Sequence, residues 1–529
     1  MLLLFIFLLT VYFMWPRGSR NQRRKSSGVV TSSSVTEHDP SLCNDAAQLS
    51  VWIKSGEIQG LRSSRNAAVA GSGKKQVRQF FGIPYGRLKG GDNRFNYSDE
   101  FDMPGKFEAF QHGPRCFQLP IMKSPFEMSE ECLTLSIWTP FICTRDESLK
   151  TVVVIVSPEW FQTGHTSDRQ DACGEMASAD LVVVAINFRL GAFGFLRTPF
   201  EDMPSNAGFS DLVKALSWIR TNVAAFHGDP DAMVALGLGS GGMLLSLDLL
   251  TPAFQMAGYF KRLILHGLVA GSLLPRNTGT DNARALAANL EECVILSGFD
   301  NATVLLKCLR SVSAEALETA SAKVSPPLRF VPNLEYGSTA AISPWSSLPL
   351  RPLKDVSVLC GYSWEDGRAL FEGVIAKSSM INKMTPPRTV IARVAQFFTG
   401  RNVANILDGL PKDAVEALSQ PGNAGVVDFL VDAVYYCPLF EMASAIYKVE
   451  GQVYVYANVK SEAFRPMTNL SDTITFVQSG DEAGDEEDFH LRGEGSGYRQ
   501  ERVFTAIERR PVATAAGVKP TCSGEDVEV

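Results

Sequence analysis

Several things are missing from this sequence, and each absence removes a class of function. There is no Cys-x-x-Cys or His-x-x-x-His spacing. The six histidines (His38, His112, His165, His227, His266 and His490) form no cluster, so zinc ligation has nothing to build on. There is no basic excess: 50 Lys and Arg stand against 57 Asp and Glu, a net charge of −7. General nucleic-acid binding needs a basic face and is thereby excluded. No apolar run of spanning length follows the N-terminus, and no motif calls for a cofactor. What remains is a 529-residue chain, 45% hydrophobic and 20% charged, able to bury a large core.

The N-terminus points to export. Residues 1–15 are almost wholly apolar but shorter than the roughly 20 residues of a spanning helix. They fit a signal peptide or a short signal anchor, although a basic stretch follows rather than precedes them. Residues 16–47, rich in Ser, Arg and Thr, read as a disordered stalk. Ten scattered cysteines suit disulfides in an oxidising compartment. Sequons at Asn96, Asn301 and Asn469 fit a glycosylated surface. Together these place the protein outside the cell, secreted or at its surface.

Between residues 77 and 266, β-branched, alternating or apolar runs at 77–85, 128–140, 152–156, 181–186, 233–236 and 261–266 read as strands, and 211–225 has helical spacing. Further strands follow at 356–360 and 452–458, and 275–440 reads as a helical cap. Strands alternating with helices predict a mostly parallel central sheet flanked by helices. Residues 479–488, with six acidic side chains, read as a solvated loop, and 521–529 as a tail.

One stretch organises the rest. Residues 232–250, AMVALGLGSGGMLLSLDLL, read as strand, glycine-crowded turn and helix. Such a turn serves either as the G-x-S-x-G elbow that exposes a nucleophilic serine or as a G-x-G-x-x-G dinucleotide cradle. The elbow's central position is Gly239. The cradle would need an acidic residue ending the next strand, and Leu263-Ile-Leu-His-Gly267 carries none.

In chain order, Phe81-Gly-Ile-Pro-Tyr85, Arg94-Phe95, Ser129-Glu-Glu-Cys-Leu133, Ile186-Asn-Phe-Arg-Leu-Gly-Ala-Phe-Gly-Phe-Leu196, Asn206-Ala-Gly-Phe-Ser-Asp211, Ala225-Phe-His-Gly-Asp-Pro230 and Gly237–Gly242 carry a family resemblance. Over residues 48–520 the chain resembles the cholinesterase/carboxylesterase type B group of the α/β-hydrolase fold. The resemblance implies disulfides Cys116–Cys132 and Cys293–Cys308, with Cys437 where some members have a third bridge and Cys522 its late candidate partner. It also implies ion pairs Arg94–Glu131 and Arg189–Asp211.

The same alignment removes the family's catalytic parts. The nucleophile is Gly239, which has no side chain to attack a carbonyl. The oxyanion loop, His-Gly-Gly-Gly-Phe in the family, reads Ser157-Pro-Glu-Trp-Phe161 and brings in Pro158, Glu159 and Trp160. The acid position keeps a carboxylate, Asp366, but the base position is Leu470, which cannot take a proton. Ser240 with His490 is the alternative constellation. Trp160 reads as filler for the lost oxyanion site, and the loop 116–132 lacks the tryptophan that would hold a quaternary ammonium.

The resemblance is to the non-catalytic branch, the neuroligin, gliotactin and neurotactin type. It implies an inactive extracellular binding or adhesion ectodomain whose partner is a cell-surface or extracellular protein. Homodimerisation stays open. A residual esterase using Ser240 and a carrier of an apolar ligand in the former active-site cleft are the alternatives.

Overall fold

Runs such as Lys150–Val156 and Val182–Ile186 are stiff at χ1, suit extended backbone, and carry no polar face. They can be satisfied only as strands covered on both sides. The computed structural model describes residues 49–63, 76–88, 93–101, 103, 105–118, 126–142, 148–196, 206–250, 259–272, 280–294, 302–324, 330–332, 356–372, 427, 430–448 and 451–458. The N-terminal apolar segment and stalk, Asn301, Asn469, Leu470, the acidic run, His490 and Cys522 lie outside the described residues. Among those described, no helix is long and apolar enough to cross a membrane.

A nine-stranded sheet forms the centre. Its strands are β1 (Leu61–Arg62), β2 (Val77–Pro84), β3 (Thr134–Pro140), β4 (Lys150–Val156), β5 (Val182–Ile186), β6 (Gly228–Leu238), β7 (Arg262–His266), β8 (Ser357–Ser363) and β9 (Gln452–Asn458). The spatial order is β9-β8-β7-β6-β4-β5-β3-β2-β1. From β5 to β9 every pairing is parallel; β3, β2 and β1 add antiparallel strands at the other edge, so the sheet is mixed. A separate small sheet joins Ser50–Ile53, Gly56–Gln59 and Gly105–Glu108.

Strand periodicity sorts the core into two layers. Val152, Val154, Val182, Val184, Ala235 and Leu265 enter one cluster, and Val153, Ile155, Val183, Ala185, Leu236 and Ile264 the other. Each neighbour in sequence faces the opposite side, as a pleated strand requires. Helices cover the faces: α1 (Gln170–Ser178), α2 (Gly191–Phe195), α3 (Ala207–Asn222) and α4 (Ser240–Leu250) lie between strands. The helices α5 (Thr280–Ala287), α6 (Ala302–Ser311), α7 (Ala314–Lys323), α8 (Trp364–Leu370) and α9 (Cys437–Lys448) follow in the region expected to form a cap.

Covalent and ionic ties pin the loops. Cys116–Cys132 and Cys293–Cys308 close loops of 16 and 15 residues, each worth roughly 3 kcal/mol in the chain-entropy model. Cys437 is also disulfide-bonded. Arg189 forks onto Asp211, Nε to Oδ2 at 2.6 Å and Nη2 to Oδ1 at 2.8 Å, with both side chains buried. One expected ion pair is corrected. Arg94 forks onto Glu130 (2.9 and 2.5 Å), not Glu131. Glu131 turns to accept the N–H of Leu88, and burial, reinforced by Glu130, raises its pKa.

Candidate functional site

The parallel strands end their carboxyl termini along one edge, where an open α/β sheet places its chemistry. The β6–α4 turn stands there. Gly239 has φ +55°, a left-handed conformation that glycine accepts without strain. Gly241 is needed for a different reason: a Cβ there would stand 1.9 Å from the Val156 carbonyl oxygen, so α4 presses against the end of β4. The sharp strand-to-helix turn of an elbow is thus kept, with no side chain at its apex.

A carboxylate from the neighbouring loop lies beside that place. A Cβ built on Gly239 would meet Glu159 Oε2 at 3.3 Å and the Pro158 carbonyl oxygen at 3.5 Å. Burial raises the pKa of Glu159; Arg169, 3.4 Å away, opposes the shift, while Asp366 and Asp168 add to it. Half of the Glu159 side chain still reaches solvent (52%). An anion already seated over the turn also argues against a pyrophosphate cradle, since like charges repel.

Two of the three replaced oxyanion positions offer no free donor. Pro158 has no N–H. The Glu159 N–H donates to the Thr163 carbonyl at 2.7 Å, and Thr163 and Gln162 donate back to the Glu159 carbonyl. The turn this closes holds Trp160 at φ 53° and Phe161 at φ 60°, two successive aromatic residues in a region usually left to Gly, Asn or Asp. Phe161 is fully buried against Phe195, and Trp160, read as filler for the lost oxyanion site, is half-buried.

Ser240 is not displayed as a nucleophile. Fully buried, its hydroxyl donates to the Pro158 carbonyl (2.7 Å) and accepts the Phe161 N–H (3.0 Å). It staples the elbow to the loop.

Asp366 sits in the first turn of α8, where its Oδ2 accepts the Ser363 N–H at 2.7 Å and closes a capping box. The same oxygen lies 3.5 Å from His266 Nε2. His266 Nδ1 meets the Tyr456 hydroxyl at 2.5 Å, and the two rings are parallel to within 11°. The phenol donates to Nδ1 and Nε2–H faces Asp366, a consistent neutral tautomer. Burial lowers the His266 pKa against the opposing pull of Asp366. The acid position is thus paired with an imidazole from the end of β7, which sequence reasoning passed over. Its position at the carboxyl end of a central strand was the signal. Tyr435, from the π-helix Val431–Tyr436, donates to the Asp366 carbonyl at 3.2 Å.

Among the sequons, only Asn96 lies in the described residues. Its Oδ1 accepts from Arg310 (2.8 Å), its amide donates to Asn93 (3.3 Å), and the Ser98 hydroxyl is buried on Asp211 at 2.8 Å. Among the described residues no group of three or more His, Cys, Asp or Glu is placed to hold a metal.

Comparison with known proteins agrees with this architecture. The carboxylesterase family model matches residues 47–485. Acetylcholinesterase-1 of Trittame loki is 32% identical over 280 residues, 50% of this chain and 48% of that protein. Thyroglobulin of Bos taurus is 26% identical over 428 residues, 77% of this chain but 15% of its own length. Carboxylesterase 3B of Mus musculus is 35% identical over 202 residues, 36% of this chain and 35% of the enzyme. The chain spans about half or less of the length of these curated relatives. A family match over most of the chain, on a sheet whose strand-turn-helix elbow stands at the expected edge, means that this protein belongs to the carboxylesterase family.

Proposed function

We propose that this protein is a catalytically silent member of its family, of the neuroligin-like kind, acting outside the cell as a binding ectodomain for another surface or extracellular protein. One observation carries the reading: the elbow apex is Gly239, which has no side chain, and the Glu159 carboxylate lies 3.3 Å from where a Cβ would stand. Acyl transfer requires a nucleophile, a base and donors aimed at the developing oxyanion. The apex offers no nucleophile, the Pro158 and Glu159 positions offer no available donor, and a carboxylate stands beside the apex. The likeness to thyroglobulin over 77% of the chain adds support, because that relative does not bear an esterase's name. Secretion rests on the apolar N-terminus and on the two described disulfides.

The competing esterase reading depends on Ser240, whose hydroxyl is already committed on both sides. An apolar carrier is disfavoured as well, since polar side chains, Glu159, Asp366 and His266, stand around the former site. The deciding experiment pairs a labelled organophosphonate with a p-nitrophenyl ester assay on the purified protein. No labelling and no turnover are expected. Labelling that disappears in Ser240→Ala would overturn the proposal, and a pull-down with the ectodomain would then lose its rationale.

A further inference from the structure

One strand away from the elbow, the carboxyl ends of β4 and β5 leave a small cavity of about 20 Å³ between them. That is more than the room one water molecule needs. Ile155, Ala185, Phe188 and Leu190 give it an apolar lining. The polar side chains that reach it belong to Ser157, His165, Thr166, Arg169 and Asn187.

Three of these are already committed. Asn187 Oδ1 accepts the Thr166 N–H at 2.9 Å, and its amide donates to the Thr134 hydroxyl at 3.2 Å. The Thr166 hydroxyl meets His112 Nδ1 at 3.1 Å. His165 Nε2 donates to the Gly113 carbonyl at 2.9 Å, and its Nδ1 accepts the Ser167 N–H at 3.3 Å. That imidazole is therefore neutral and has no N–H to spare.

Ser157 and Arg169 are different. Among the described residues the Ser157 hydroxyl makes no hydrogen bond. Arg169 Nη2 reaches Glu159 Oε1 at 3.4 Å, the long limit of a hydrogen bond. Its neighbour Asp168 is taken by Arg115. A guanidinium presents five N–H donors in a planar fork. Beyond the single contact to Glu159, those of Arg169 take no acceptor among the described residues. The cavity thus combines a cationic fork and an uncommitted hydroxyl with apolar walls. That donor set matches a planar anion with two acceptor oxygens, and the volume limits the anion to a few heavy atoms.

We propose that the cavity between the ends of β4 and β5 is a binding site for a small monocarboxylate of formate size, held by the Arg169 guanidinium and the Ser157 hydroxyl. Glu159 is its built-in competitor. One carboxylate oxygen, Oε1, partners Arg169, while the other, Oε2, lies 3.3 Å from where a Cβ on Gly239 would stand. A ligand that takes Arg169 therefore releases the carboxylate beside the elbow. The inference is independent of whether the elbow hydrolyses esters and of where the protein resides.

Titration of the full chain with [¹³C]formate, followed by NMR line width, tests the site. Ionic strength is held constant with sodium gluconate, an anion too large for the cavity. Three heavy atoms at the ceiling of ligand efficiency allow a Kd no tighter than about 0.5 mM. Saturable broadening with a millimolar Kd is expected. Formamide, of the same shape without the charge, should bind about 10-fold more weakly or worse. Arg169→Gln should weaken formate binding by about 10-fold or more, and Ser157→Ala by about 3-fold or more. Glu159→Gln should tighten it, because the competing carboxylate is gone. Denaturation midpoints without formate establish that each variant is folded. Broadening that does not saturate, formamide binding as well as formate, or equal formate affinity in the native protein and Arg169→Gln overturns the proposal. Weaker binding in Glu159→Gln would refute the competition.

Discussion

Restoring the nucleophile is the most direct perturbation of the elbow. In Gly239→Ser the new residue inherits φ +55°, which costs an L-residue about 1–2 kcal/mol. Its Cβ stands 3.3 Å from Glu159 Oε2, so the carboxylate must shift by a few tenths of an ångström or accept the new hydroxyl as a hydrogen bond. The outcome for stability is a loss of about 1–2 kcal/mol, read as a lower chemical-denaturation midpoint with unchanged slope. The outcome for chemistry is silence. In serine hydrolases, loss of the base alone removes a factor on the order of 10⁶ in kcat. Each missing oxyanion donor removes roughly 10²–10³ more. Both deficits are expected to remain: the base position reads Leu470, Pro158 still lacks an N–H, and that of Glu159 is bound to Thr163. The assay is time-dependent labelling by a fluorescent phosphonate, with ester turnover alongside. Measurable turnover would mean that a base reaches position 239, with His266 the first group to examine, and the account of the site would fall. In Gly239→Ser/Glu159→Gly the stability penalty should shrink, and a double-mutant cycle measures the coupling.

Other consequences are equally concrete. Ser240→Ala leaves the buried Pro158 carbonyl and Phe161 N–H without their partner; it should destabilise by about 1–3 kcal/mol in a melting or denaturant experiment, without altering phosphonate reactivity. Glu318 is buried, its Oε1 has no hydrogen-bond partner, and burial pushes its pKa up to about 7. Its contribution to stability is present in full below the ordinary value of 4.5 and lost as pH rises through 7, about 3 kcal/mol in all. Glu318→Gln should remove most of that slope, so denaturant midpoints at pH 5 and 8 should converge; an unchanged slope would contradict the burial argument. Arg189→Met strands Asp211 in the core and should cost about 3–5 kcal/mol, whereas Arg189→Met/Asp211→Leu should recover part of the loss.

Much of the fold was legible because burial on two faces leaves a simple mark. Val152–Val156 and Leu181–Ile186 read as strands from β-branching alone, and the structure extends or trims them by a residue or two. β6 was read too short: it begins at Gly228, which pairs with Lys150 before a register shift brings Met233 opposite Val152. The antiparallel edge went unseen because hydrophobic period does not report strand direction. At the site, Gly239 and the replaced oxyanion loop could be located by register. The Glu159 carboxylate over the apex, and His266 facing Asp366, could not, since both juxtapositions join separate strand ends. Arg94 shows the resolution of such reasoning: the partner lies one residue from the expected one, at Glu130.

The turn at Trp160 and Phe161 bears on how this loop could be rebuilt. Both residues hold left-handed conformations that their side chains do not favour, a burden of order 1–3 kcal/mol each. Neighbours impose the path: Ser240 grips the Phe161 N–H, the Phe161 carbonyl receives Gly191, and Glu159 and Thr163 clamp the ends. The shape of the segment is therefore a property of the surrounding scaffold rather than of its own residues. Glycines placed there would relax into a mould already cast for them, so the loop can be given a different chemistry without being given a different form.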